Sequence, residues 1–263
     1  MTIADGVTDI GNYAFDGCDG LKTVIIGDGV KNIGTGAFAG AQSYTDVSMN
    51  NRSVLETVVI GSGVETIGSY AFWGCLQLQN VTIKEGVKVI GTCAFAECNK
   101  ITTVELPNTI TTIEYGAFMR CTKLETMVIP DSVTTVGTNV FSECIKLASV
   151  TLGAKMTSIG DSMFYGCVAL TSVEIPDSVK SIGNMAFGNC SALRTVTVGS
   201  GLESIGAYAF SGSNISSFTL TITSGWYRTT NRTNWENKQN GTSSKPSASS
   251  LKSAYSDHYW YRV

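Results

Sequence analysis

The chain has 263 residues, a net charge of −3 and only 15% charged residues, well under the roughly 25% of typical domains. With no Lys/Arg block it does not read as a nucleic-acid binder. No apolar run approaches the ~18 residues of a membrane span, and no charged-then-apolar leader opens the chain.

The sequence is organised by a period. Phe15, Phe38, Phe72, Phe95, Phe118, Phe141, Phe164, Phe187 and Phe210 recur every 23 residues, except for one interval of 34. A fixed period in the twenties marks a solenoid, in which each repeat makes one coil and covers the next. Nine or ten coils in one elongated domain are expected, with strands joined in a continuous parallel sheet at about 4.8 Å spacing.

Taken in order, Met1-Thr2-Ile3 opens the first coil, so the chain begins inside a repeat, as a trimmed chain would. Later strands are predicted at 24–26, 58–60, 81–83, 104–106, 127–129, 150–152, 173–175, 196–198 and 218–220, where apolar residues flank an outward one. Turns such as GDGV at 27, PNTI at 107 and PDSV at 130 and 176 follow; proline stops a ladder because it has no N–H. Next comes an Ile or Val, from Ile10 to Ile205, usually followed by Gly. From there apolar positions such as Ile159, Met163, Phe164 and Cys167 step along at the spacing of one helix face, which predicts a short helical turn. Strands on one side and wider helical turns on the other would bend the stack, strands on the concave side.

The unit L-x-x-V-x-I-P-x-x-V-x-x-I-G-x-x-A-F-x-x-C resembles the BspA-type, or Treponema pallidum-type, class of leucine-rich repeat, from residue 1 to about 220. The resemblance implies a right-handed repeat solenoid with a concave parallel sheet. It also implies an extracellular, cell-surface bacterial or protozoan protein that binds host proteins or other cells. One departure matters. The position often held by Asn in leucine-rich repeats is here Gly6, Gly29, Gly63, Gly86, Thr109, Ser132, Lys155, Ser178 and Gly201, so backbone groups in that turn need other partners.

An insertion of 11 residues near 42–52 breaks the rhythm; insertions in solenoids fall in loops on one face, often a binding face. Residues 221–263 form a tail with Trp226, Trp235 and Trp260, read as a cap over the last coil.

Seven of the 8 cysteines, Cys18, Cys75, Cys98, Cys121, Cys144, Cys167 and Cys190, sit three residues after the repeat Phe. Ala41 and Ser213 fill that slot elsewhere, which marks a small buried filler. Parallel Cβ vectors in stacked coils resist bridging, so reduced thiols are expected. Cys93 lies instead two before Phe, in a slot shared with Tyr13, Tyr70, Asn139, Ser162 and Tyr208; such a mixed slot predicts partial exposure.

No catalytic constellation emerges. His258 is the one histidine, and thiols in an apolar core have raised pKa values and poor access. The closest cysteine pair, Cys93 and Cys98, lacks both zinc spacing and a nearby His. The GSG and GDG turns are not phosphate loops. The sequons at Asn51, Asn214, Asn231 and Asn240 carry glycans only in a glycosylating host. No cofactor, metal or catalytic residue is assigned.

The strand face is the informative surface. Small polar residues precede each strand, Thr57 among them, and the outward centres run Thr2, Ile25, Val59, Thr82, Glu105, Val128, Thr151, Glu174, Thr197 and Thr219. Thr is favoured in strands and can solvate a face without any ligand. Candidate partner-binding residues are Ile25, Thr57, Val59, Thr82, Glu105, Val128, Thr151 and Glu174, with Tyr44 and Met49 in the insertion. The reading is a monomeric, non-enzymatic surface protein that takes a protein or glycan partner on its concave face or insertion loop. A passive spacer or stalk is the alternative, and a Cys-dependent enzyme stands far behind.

Overall fold

A computed structural model describes residues 1–40, 53–222, 224–230, 242–251 and 257–263. Nine coils, numbered by their Phe, stack along one axis. Each carries a first strand, where apolar side chains turn inward at alternate positions, and a second strand of two residues. Coil 1 holds β1 (Thr2–Ile3) and β2 (Asp9–Ile10), and coil 2 holds β3 (Thr23–Ile26) and β4 (Asn32–Ile33). Coil 3 holds β5 (Thr57–Ile60) and β6 (Thr66–Ile67), and coil 4 holds β7 (Asn80–Ile83) and β8 (Val89–Ile90). Coil 5 has only the second strand, β9 (Thr112–Ile113). Coil 6 has β10 (Thr126–Val128) and β11 (Thr135–Val136), and coil 7 has β12 (Ser149–Thr151) and β13 (Ser158–Ile159). β14 (Ser172–Ile175) and β15 (Ser181–Ile182) belong to coil 8, β16 (Thr195–Val198) and β17 (Ser204–Ile205) to coil 9, and β18 (Ser217–Leu220) begins a tenth turn.

The first strands pair parallel and in register, so that Ile25 lies between Thr2 and Val59. The expected continuous sheet is nevertheless interrupted. It falls into the blocks β1-β3-β5-β7, β10-β12 and β14-β16-β18, and predicted strand 104–106 pairs with neither neighbour. The cause is proline. In four coils the residue after the strand donates its N–H to the preceding coil: Gly27 to Ile3 O at 2.9 Å, Lys84 to Ile60 O at 3.1 Å, Gly199 to Ile175 O at 2.9 Å and Thr221 to Val198 O at 3.3 Å. In coils 5, 6 and 8 that residue is Pro107, Pro130 or Pro176, which has no N–H to give. The three lost junctions are those three. Proline here does more than end its own strand: it unzips the coil from the one before.

The turn side corrects the predicted helical turns. The residue two before each Phe (Tyr13, Gly36, Tyr70, Cys93, Gly116, Asn139, Ser162, Met185, Tyr208) has φ between 51° and 59°, which no right-handed helix can accommodate. Instead of bonding four residues back, N–H groups reach forward to the next coil: Gly116 to Thr138 O at 3.0 Å, Phe118 to Val140 O at 2.9 Å and Arg120 to Ser142 O at 2.8 Å. This ladder crosses every junction from coil 1 to coil 9. The apolar positions assigned to a helix face are buried as expected, but on a chain of turns. Beneath them the nine Phe rings stack at centroid distances of 4.9–5.7 Å, within 10° of parallel.

The missing asparagine is replaced one position earlier. Asp5 Oδ1 accepts the Asp28 N–H at 2.8 Å, Asp28 Oδ1 that of Ser62 at 2.7 Å, Asp131 Oδ1 that of Ala154 at 2.7 Å, and Asp177 Oδ1 that of Ser200 at 2.6 Å. The next residue is then pressed onto the preceding coil. A Cβ on Gly63 would overlap the Asp28 carbonyl, which accounts for glycine there.

In the tail, β19 (Trp226–Thr229), β20 (Thr242–Ser243) and β21 (Tyr259–Arg262) form an antiparallel set, and β21 pairs antiparallel with β17. Trp226, Trp260 and Tyr261 are buried. Trp235 lies outside the described residues.

Candidate partner-binding face

On the strand side the outward centres stand in one row. Ile25, Thr82, Glu105, Val128, Thr151 and Glu174 are exposed, while Thr57 and Val59 are half-buried. Register places Ile25 beside Val59, Val59 beside Thr82, and Val128 beside Thr151. Tyr44, Met49 and the rest of the insertion near 42–52 lie outside the described residues, as do the sequons at Asn51, Asn231 and Asn240.

The proline junctions sculpt this face. Between coils 4 and 5 a trough of about 330 Å³ is lined by Gln79, Asn80, Val81, Thr82, Ile83, Thr102, Thr103 and Glu105. Between coils 7 and 8, reaching coil 9, another of about 620 Å³ is lined by residues including Ser149, Thr151, Ser172, Glu174, Asp177 and Thr197. Candidate residues therefore meet in pairs, Thr82 with Glu105 and Thr151 with Glu174. On the earlier side of each opening the edge is wetted: Val81, Leu106 and Val150 are only half-buried, whereas Val104 and Val173 on the later side are buried, as are Val24, Val58 and Val196 on paired strands. The chain signal for these openings was visible as Glu-x-Pro at Glu105-Leu106-Pro107 and Glu174-Ile175-Pro176, although sequence reasoning took the prolines only as strand ends.

The thiols have a different task. Cys75, Cys98, Cys121, Cys144, Cys167 and Cys190 each donate Sγ–H to the carbonyl of the preceding coil's Phe at 3.1–3.2 Å. Burial pushes all six pKa values up, to about 12 for Cys75, Cys121 and Cys190. Protonated, buried and already hydrogen-bonded, they are poor nucleophiles and poor metal ligands.

Two cysteines depart from expectation. Cys18, in coil 1, is exposed. Cys93 is fully buried, because Trp73, Ala96, Tyr70 and Met119 gather around it in a second apolar cluster on the turn side. Trp73, which the repeat leaves looking like surface, is buried with it.

Stacked parallel strands, a buried Phe column and turns bonded from coil to coil define a solenoid of the leucine-rich-repeat type. The family model for the BspA type leucine rich repeat region matches residues 1–54, 50–170 and 157–237, and the chain belongs to that family. A leucine-rich repeat protein of T. pallidum with a solved structure is 32% identical, over 59% of this chain and 75% of that one, with a TM-score of 0.56. A leucine-rich repeat protein from Eubacterium ventriosum matches over 85% of this chain and 86% of its own at 21% identity and a TM-score of 0.47. A leucine rich cell surface protein from Faecalibacterium prausnitzii matches over 93% and 82% at 24% identity and a TM-score of 0.44. Among curated proteins none matches.

Proposed function

We propose that this is a non-enzymatic, cell-surface repeat protein that binds an extracellular protein or glycan across its strand face. The observation that carries the reading is the row of outward centres from Ile25 to Glu174, presented to solvent over successive coils with few formal charges. A partner laid across the strand row touches several coils at once, the use to which extended solenoid surfaces are put. Membership of the BspA-type family supports the surface location and the binding role.

Capture of soluble extracellular proteins by the intact chain tests this, using the wild type beside Val59→Arg and a variant lacking residues 42–52. Both changes are expected to weaken capture while circular dichroism stays that of the folded stack. Capture that survives both changes places the contact elsewhere; no capture by any form favours a spacer.

A further inference from the structure

We propose that the two Glu-bearing proline junctions, coil 4/5 and coil 7/8, are subsites for a neutral oligosaccharide. This deepens the binding reading above and rests on it. The chain 103–106 is the key. Thr103, Val104, Glu105 and Leu106 form no hydrogen bond through N–H or C=O to any described residue. On one side the donor that should meet Ile83 O is replaced by Pro107; on the other, the donor that should meet Leu106 O is replaced by Pro130. Main-chain donors and acceptors thus alternate along an opened seam, and such groups are seldom left without a partner.

The trough over this seam selects among occupants by its chemistry. Its polar lining consists of carboxamides (Gln79, Asn80), hydroxyls (Thr82, Thr102, Thr103) and one carboxylate, Glu105, with Val81 and Ile83 supplying apolar surface. An anion would meet Glu105 and no cation. A compact cation would find a single carboxylate where several oxygen ligands are needed. An extended peptide needs a free sheet edge with a strand's width beside it, yet coil 5 has a coil on either side. Sugar hydroxyls donate and accept at once and match both the bare main chain and the amide, hydroxyl and carboxylate side chains. The volume of about 330 Å³ lies within the ~300–1,000 Å³ of small-ligand sites.

The second junction is similar but has two carboxylates. Thr151 precedes the break, Glu174 follows it, Asp177 lines it while accepting from the Ser200 N–H and hydroxyl, and Ser149, Ser172 and Thr197 add hydroxyls around about 620 Å³. Glu105 and Glu174 are the only acids in the row of strand centres, and both sit two residues before a ladder-breaking proline. The third break, at Pro130, has Val128 in that place. Three coil steps separate the two subsites, roughly 15 Å at sheet spacing, so one chain of sugars can lie across both.

The test is isothermal titration of the full chain with maltohexaose, cellohexaose, xylohexaose and chitohexaose. At least one is expected to bind. Glu105→Gln with Glu174→Gln should weaken it tenfold or more, and Val168→Thr, at an exposed position outside the strand row, should leave it unchanged. Pro107→Gly with Pro176→Gly restores the missing N–H groups, zips the seams and should abolish binding; if that variant misfolds, the Glu→Gln pair decides. Absence of binding by all four sugars overturns the proposal, as does an unchanged Kd in the Glu→Gln pair. Saturation by an extended Thr/Val peptide in place of sugars overturns it too. Val59 is among the lining of neither trough, so wild-type sugar titrations that fail while Val59→Arg still removes protein capture sink the sugar assignment and leave the broader reading standing.

Discussion

The Cys144 thiol donates to the Phe118 carbonyl oxygen at 3.2 Å, across the boundary between coils 6 and 5, and five other thiols repeat the contact. A bond of this kind needs the proton. The unfolded chain titrates at the ordinary thiol value of 9.0, whereas the folded thiols titrate well above it, at about 12 for Cys75, Cys121 and Cys190. Above pH 9 the unfolded state therefore releases protons that the folded state keeps, and stability falls as pH rises. Each thiol contributes on the order of 1 kcal/mol per pH unit. Six together should bring on cooperative unfolding between pH 9 and 12, followed by circular dichroism. Cys144→Ala should make the decline of stability with pH shallower. Stability that is flat through pH 11 would contradict the buried, protonated ladder.

Acid should act through a different row. Asp28 is held below the ordinary carboxylate value by the Ser62 amide and then by Lys84, and Asp177 by the amide and hydroxyl of Ser200. Their folded pKa values are depressed, so their contribution is present above about pH 4 and is lost as pH falls through the lowered values. Asp28→Asn with Asp177→Asn should flatten the loss of stability below pH 4 in urea titrations. An acid limb identical to that of the wild type would show that these turn contacts carry no linkage.

Thiol access separates the ends of the stack from its middle. Cys18 should react with a thiol reagent in the native protein, and the other seven only after denaturation, since they are buried. Rapid modification of Cys93 in the folded chain, mapped by peptide mass, would mean that Trp73 and Met119 do not cover it.

What could be read from the chain was whatever repeats at one fixed position. Phe at every 23rd residue specified the column, and Cys three later specified the thiol row, because each meets its own kind in the next coil. The local backbone was less legible. A left-handed slot that accepts Tyr, Cys, Asn, Ser and Met as well as Gly leaves no compositional mark, so the spacing of Ile159, Met163 and Phe164 imitated a helix. Cys93 was misjudged for a related reason: its cover comes from Trp73 in the coil before and Met119 in the coil after. The strand-face troughs were half visible. Pro107, Pro130 and Pro176 were plain, but a missing N–H matters here to the preceding coil, a relation between residues 24 apart.

The Phe column supports a graded prediction. Phe118→Ala or Phe141→Ala leaves a cavity between two stacked rings with little room to collapse, at a cost of about 3–5 kcal/mol. Phe15 is half-buried and has one ring neighbour, so Phe15→Ala should cost clearly less. Phe210 should behave like the centre, because it is fully buried and Phe218 meets it edge-on at 5.6 Å. Chemical denaturation of the four variants checks the order, and equal losses at Phe15 and Phe118 would contradict it.

The last prediction concerns the closed end. Trp260 is fully buried and pairs with Ile205 where β21 joins β17, so the tail supplies the neighbour that coil 9 otherwise lacks. We propose that this pairing acts as the cap of the stack. Trp260→Ala removes a large side chain from that contact and should cost about 3–5 kcal/mol. In a solenoid each coil leans on its neighbours, and damage at one end spreads only as far as nearest-neighbour coupling carries it. Amide hydrogen exchange should therefore accelerate first at 195–220, then at 172–190, and least at 23–40. If exchange rises evenly along the chain, the stack unfolds as one unit and the cap has no local role; if it does not rise at all near Ile205, β21 is dispensable to the end it covers.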